Sequence, residues 1–273
     1  MSSAWVVALS AAGAALTLIG LLLMAANMSD TPVLQVDRET VDALLNQTAT
    51  GTASKVRILS LMAILPLIGL IRTSTRLRWS VLSALGAISL GSLAWTGHGA
   101  ADEGVRGTIH LAADITHLLA AGIWLGALTG LLILLLRARA THDEQLARIA
   151  ISHGALASFG NVGTLTVLLI TLTGLVNSWA LVGVENISAL PNSLYGRLLI
   201  MKLILFAAML GLAARNRFRL TPAIASGANS GSRDTAAAVR SISRSVALEA
   251  GLALIILGLI AWLGTLSPPN SGM

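Results

Sequence analysis

The sequence predicts an all-α, polytopic membrane protein of about seven spans, and three observations carry that prediction. Apolar side chains make up 55% of the 273 residues and charged ones only 11%, against about 25% charged in soluble domains. The apolar residues gather into seven long runs separated by short polar stretches, the strongest class signal a sequence offers. None of the runs has the period-2 alternation of a barrel strand. Backbone facing lipid must satisfy its own N–H and C=O groups, so the runs are predicted to be helices.

In order, the runs lie near Ala4–Asn27, Ile58–Ile71, Trp79–Gly97, Ile109–Leu136, Ala155–Gly183, Leu198–Ala214 and Val246–Leu266. The first opens MSSAW without Lys or Arg and ends without an A-x-A site, so it reads as a retained helix and not as a cleaved leader. The second is short for a span unless Thr52–Arg57 is drawn into it. The whole chain, 1–273, reads as a single membrane domain. Two connections are longer than the rest. Residues 28–55 read as a polar, acidic outer loop with a weak amphipathic pattern in VDALLNQ. Residues 221–243, with ASGANSGSRD at their start, read as a flexible inner loop. THDEQLARIAIS, carrying His142 and His153, reads as a solvated loop or interfacial turn.

Charge sets the expected orientation. With the N-terminus in the cytoplasm, 12 of the 18 basic residues fall on the inner side, among them Arg72, Arg76, Arg78, Arg137, Arg215 and Arg219. Seven of the 12 acidic residues fall outside, Asp30, Asp37, Asp102 and Glu185 among them. This is the positive-inside pattern, and with seven spans it places the C-terminus outside. The net charge of +6 therefore reflects topology. No recognition motif accompanies it, so no nucleic-acid partner is expected. The absence of cysteine is compatible with an oxidising outer compartment. There is no phosphate-binding loop, dinucleotide fingerprint, H-E-x-x-H or nucleophile elbow. The chain is accordingly not expected to be an enzyme, and ATP-driven pumping within it is not expected.

The stretch TGHGAADEGVRGTIHLAADITHLLAAGIWLGAL, Thr96–Leu128, concentrates ionisable residues inside this apolar chain. It holds His98, His110 and His117, three of the five histidines, together with Asp114. The spacing H-x3-D-x2-H puts His110, Asp114 and His117 within roughly 60° of one another on a helix, in one stripe. Trp124 continues nearly the same stripe one heptad deeper. Gly122, Gly126 and Gly130 form a second face, open to close approach of a neighbouring helix. A carboxylate at the depth of Asp114 needs a cation, a proton or a polar cavity. His98 ends the preceding run, so the hairpin returns it to the same outer rim.

Imidazole suits Cu, Zn, Fe and Ni, and thioether favours Cu(I). Met24 and Met28 end the first run at the outer side, and Met201 begins the sixth there. A metal site of His98, His110, His117 and Asp114, joined by these methionines, is one reading. Trp124 would cap the cation through its ring. Plainer readings stand beside it. His98 serves equally as an interfacial anchor, Asp114 as the partner of Lys202, the methionines as packing and Trp124 as core. On the inner side, Glu249 is expected to pair with an arginine or to belong to an exit site. Asn177 is expected to make an interhelical hydrogen bond.

The segment GHGAADEGVRGTIHLAADITHLLAAGIWLGAL resembles the hallmark of the copper resistance protein D (CopD-like) membrane proteins, in which a G-H turn is followed by H-x6-H and a Trp-Gly signature. The resemblance runs on through TGLVNSWALVG, YGRLLIMKLILFAAMLGLAARNRFRLTP and SVALEAGLALIILGLIAWLGTLSPP, about residues 93–269. It implies a multi-pass protein of the bacterial inner membrane that moves copper from periplasm to cytoplasm. The implied partners are the copper ion, as Cu(I) or Cu(II), the lipid bilayer and a periplasmic CopC-like copper-binding protein in trans. His98, His110 and His117 are the implied metal residues, and Trp124, Tyr195 and Lys202 are further signature positions. Members commonly have eight helices, and this chain aligns from the second. Rival readings are a copper-handling scaffold or sensor that does not transport, a haem-binding electron carrier and a purely structural membrane subunit. His110 and His117 lie about 10 Å apart on one helix and cannot be the two axial ligands of one haem. His98 with His117 is the remaining pair, which a visible absorption spectrum would reveal.

Overall fold

The structure is a computed structural model describing residues 3–70, 75–97, 104–137, 142–220 and 232–269, with side chains placed for 4–70, 75–97, 104–134, 162–219 and 241–269. Eight α-helices run through these residues: α1 Ser3–Ser29, α2 Arg38–Gln47, α3 Ala49–Leu70, α4 Thr75–Gly91, α5 Gly104–Arg137, α6 His142–Val182, α7 Leu194–Arg215 and α8 Ser232–Leu263. Short 3-10 turns occupy Val33–Gln35, Ser92–Thr96 and Ile187–Asn192, and a π-helical turn follows α7 at Asn216–Leu220. Among the described residues there is no strand. Among the described residues seven helical stretches are long and apolar enough to cross a membrane: Ala4–Ser29, Ala49–Leu70, Thr75–Thr96, Gly104–Leu134, Val162–Val182, Leu194–Arg219 and Ser241–Leu263. The predicted all-α polytopic class and its seven spans are thus observed.

The chain divides into two compact units, 1–119 and 120–273, with α5 contributing to both. In the first, Ile64 and Ile68 of α3 and Leu82 of α4 form a buried cluster flanked by Leu61, Leu67, Leu85, Val6 and Val7. Lipid tails are as apolar as these side chains, so close packing and polar contacts hold such helices together. Gly13 of α1 illustrates this, since a Cβ there would lie 3.1 Å from Leu61 Cδ1.

The segment read as an outer loop, 28–55, is largely helical. Asp37 caps α2, its carboxylate accepting from the Thr40 backbone N–H at 2.7 Å, and that hydrogen bond holds the Asp37 carboxyl below its ordinary pKa. Leu44, 1% exposed, anchors the helix to the unit. Thr48 then ends α2 and starts α3: its hydroxyl donates to the Leu44 carbonyl at 2.6 Å and accepts from the Gly51 N–H at 2.9 Å. The second span therefore begins at Ala49, and Thr52–Arg57 is drawn into it. An added Cβ at Gly51 would fall inside the van der Waals envelope of the Leu44 carbonyl oxygen and the Leu45 backbone. Gly51→Ala is expected to destabilise the chain by about 1–3 kcal/mol, read as a lowered unfolding temperature in detergent. Gly69→Ala, where a Cβ meets nothing within 4 Å, serves as the tolerated control.

In the second unit Trp124, Leu128, Ile170, Met209, Ile242 and Val246 belong to one buried cluster. A second holds Val182, Tyr195, Leu198, Leu199 and Leu263. Ser193 caps α7, accepting from the Gly196 N–H at 3.0 Å. Two predicted loops turn out otherwise here. α8 is already helical at Ser232, so only 221–231 of the expected flexible inner loop lies outside the described residues. The run Ala236–Ala238 supplies strong helix formers there. His142 and His153 stand on the first four turns of α6 instead of in a loop, since nothing in DEQLARIA breaks a helix. The glycine face of α5 also differs from expectation: a Cβ at Gly126 or Gly130 would meet nothing within 4 Å.

Candidate metal centre

Three of the four core candidates stand on α5 within the first unit. His110 is 3% exposed, while Asp114 and His117 are half-buried. The helix is unbroken from Gly104 to Arg137, so the stripe read from the spacing is real. His98 lies outside the described residues. Its predecessor Gly97 closes the 3-10 turn Ser92–Thr96, its N–H donating to the Ala94 carbonyl at 3.4 Å. A Cβ built on Gly97 would stand 3.7 Å from Asp114 Oδ2. The chain therefore runs past the Asp114 carboxylate one residue before His98.

Two contacts hold that turn in place. Arg57 of α3, 8% exposed, donates through Nε to Ser92 Oγ at 3.0 Å and through Nη2 to the Ser92 carbonyl at 2.9 Å. Thr50 donates to the Trp95 carbonyl at 2.9 Å. Charge-assisted donors to a carbonyl are among the stronger hydrogen bonds, and they fix the end of α4 against α3. In the predicted orientation Arg57 is one of the basic residues left on the outer side. Its place inside an apolar span was the available signal of a structural or binding role.

Along one helix, His110 and His117 are separated by about 10 Å, too far for one ion to bond both rings without a donor from another element. Among the described residues no three His, Asp or Glu side chains gather to a metal-binding distance. His98, the donor expected from the second element, lies outside the described residues.

The remaining candidates are spread out. Met24 is 40% and Met28 55% exposed on α1, and Met201 is 49% exposed on α7. Met24 lines a cavity between α1, α3 and α4 whose walls do not include the histidines. Trp124 and Tyr195 are buried in the clusters of the second unit at 6% and 7% exposure, the packing alternative stated for Trp124. Lys202 is half-buried on α7. Glu249, 2% exposed, accepts a short hydrogen bond from Asn216 Nδ2. The partner is the amide at the start of the π-helical turn, not the expected arginine.

Comparison with known proteins agrees with this architecture. The family model for copper resistance protein D matches residues 153–263. The model for the copper resistance protein D-like N-terminal domain matches residues 1–108, which takes in the first 92 residues, where none of the quoted motifs lies. A protein described as copper resistance protein D from Pseudomonas syringae pv. tomato is 40% identical over 256 residues, covering 94% of this chain and 81% of the relative. No solved structure matches. Seven membrane-crossing helices, a His/Asp stripe on the fourth of them and matches over nearly the whole length lead to one assignment: the chain is a member of the copper resistance protein D family, a copper-related, multi-pass membrane protein.

Proposed function

We propose that the chain takes up a copper ion from the periplasmic side of the bacterial inner membrane through His98, His110 and His117, and passes it toward the cytoplasm. Asp114 acts as a further ligand or orients a histidine ring. The observation that carries the reading is the approach of Gly97 to the Asp114 carboxylate, which delivers the backbone next to His98 to the stripe holding His110. In this reading two elements contribute donors to one place, as an ion needs. Imidazole with one carboxylate matches copper better than it matches a hard cation such as Mg²⁺. Acidic side chains of the outer segments, Asp37 and Asp42 among them, raise the local cation concentration. A CopC-like protein in trans is the fitting donor.

A specific observation supports a second reading, in which the chain holds copper and hands it on without transport. The hydroxyls of Thr166, Thr171, Thr173 and Ser178 on α6 each donate to a carbonyl of their own helix four residues back, so among the described residues these four protons are committed to the helix backbone and not to a relay across the second unit. Uptake into proteoliposomes separates the two. Copper accumulation by wild-type vesicles, reduced at least about tenfold by His110→Ala, is the expected result. Tight binding with no accumulation under either membrane potential or pH gradient would replace transport with the scaffold role.

A further inference from the structure

The first unit contains a cavity of about 480 Å³ between α1, α3, α4 and the 3-10 turn, on residues distinct from the histidine stripe. Its polar lining includes Thr17, Ser54, Arg57 and Ser89, which are 9%, 2%, 8% and 8% exposed. Arg57 sits eight residues into α3, about 12 Å along the helix and inside a membrane-crossing segment. A charge at such depth calls for a partner. Among the described residues, no carboxylate supplies one: the bonds of Arg57 are the two to Ser92. A guanidinium carries five N–H donors, so three of them have no acceptor among the described residues. The hydroxyls of Ser54 and Ser89 likewise make no hydrogen bond among the described residues. By contrast the Thr17 hydroxyl donates to the Gly13 carbonyl at 2.8 Å.

Among the described residues the cavity therefore holds one positive charge without a facing carboxylate and a surplus of donors, contributed by α3 and α4. That is the chemistry of an oxyanion site, and the planar fork of arginine suits phosphate oxygens in particular. The rest of the lining is apolar and reaches the outer surface of the unit: Leu16 is 67%, Met24 40% and Leu93 37% exposed. A ligand with an anionic head and apolar remainder fits both parts. Basic pockets between membrane helices hold lipid head groups in this way.

We propose that Arg57, Ser54 and Ser89 form a binding site for a phosphate group, carried by an anionic phospholipid or present as the free ion. The full chain, purified in detergent, is titrated with phosphatidylglycerol, with zwitterionic phosphatidylcholine and separately with inorganic phosphate. Retention is followed by native mass spectrometry and by the shift in unfolding temperature. The expected result is retention of phosphatidylglycerol over phosphatidylcholine, with about tenfold weaker retention in Arg57→Gln and a smaller loss in the Ser54→Ala/Ser89→Ala double variant. Stabilisation by inorganic phosphate that disappears in the same variants assigns the free ion as the source. Should Arg57→Gln fail to fold because the Ser92 bonds are lost, the serine double variant decides, since neither hydroxyl ties helices together. Equal retention of every ligand by wild type and double variant, or no binding of either phosphate source by wild type, overturns the proposal.

Discussion

His110→Ala is expected to weaken copper binding by the detergent-purified chain about a hundredfold or more. Loss of groups that merely orient a ligand already reduces metal affinity 10- to 100-fold, and His110 is proposed as a ligand itself. At 3% exposure its imidazole is held by the surrounding helices and no solvent-borne donor can substitute. His98→Ala and His117→Ala are expected to act in the same direction. Asp114→Asn distinguishes the two roles offered for the carboxylate. An orienting carboxylate replaced by an amide leaves ion stoichiometry intact with reduced affinity, whereas a lost ligand lowers affinity as far as a histidine substitution does. Met24→Ala, Met28→Ala and Met201→Ala, measured with Cu(I) on the same preparations, tell whether thioethers join the site. Stoichiometric binding that survives all three histidine substitutions would sink the centre proposed here and return the stripe to a polar network.

Trp124→Ala is expected to destabilise the chain by about 3–5 kcal/mol. The indole is 6% exposed and packs in the cluster with Leu128, Ile170, Met209, Ile242 and Val246. Its removal leaves a cavity among side chains from α5, α6, α7 and α8 that cannot all close upon it. Trp124→Phe, which keeps an aromatic ring at the site, should lose much less. Both are read by reversible unfolding in mixed detergent, beside copper affinity of the folded protein. Because the cluster belongs to the second unit, the packing role predicts unchanged copper affinity in Trp124→Phe. A large loss of affinity with little loss of stability would instead restore the cation-capping role that the heptad spacing to His117 suggested.

The seven spans and the His110–Asp114–His117 stripe were legible because each rests on a local rule. A run of apolar residues long enough to cross hydrocarbon must be helical, and residues three, four and seven apart on a helix share a face. The loops were harder. Residues 28–55 look polar on average, yet one carboxylate at Asp37, one buried Leu44 and the double use of Thr48 suffice to make α2 and to start α3 early. Those effects come from single hydrogen bonds and a single docking contact, which composition does not register. The same holds for 232–243, where Ala236–Ala238 outweigh the glycine and serine of the preceding stretch.

By itself the sequence determined that this chain is a seven-span helical membrane protein with an ionisable stripe on its fourth span, because hydropathy and helical period act within one segment at a time. Only the tertiary structure decided which segments meet. It brought Gly97, and with it the approach to His98, beside Asp114. It turned Arg57 from one outer cation among several into a buried anchor of the Ser92–Thr96 turn facing a cavity, and it placed Trp124 in a packed core. It also gave Glu249 an amide partner, Asn216, in place of an arginine. Each of these is a contact between residues 17 to 35 positions apart or in different helices. Such contacts follow from how helices pack in three dimensions, which no periodicity along one helix encodes.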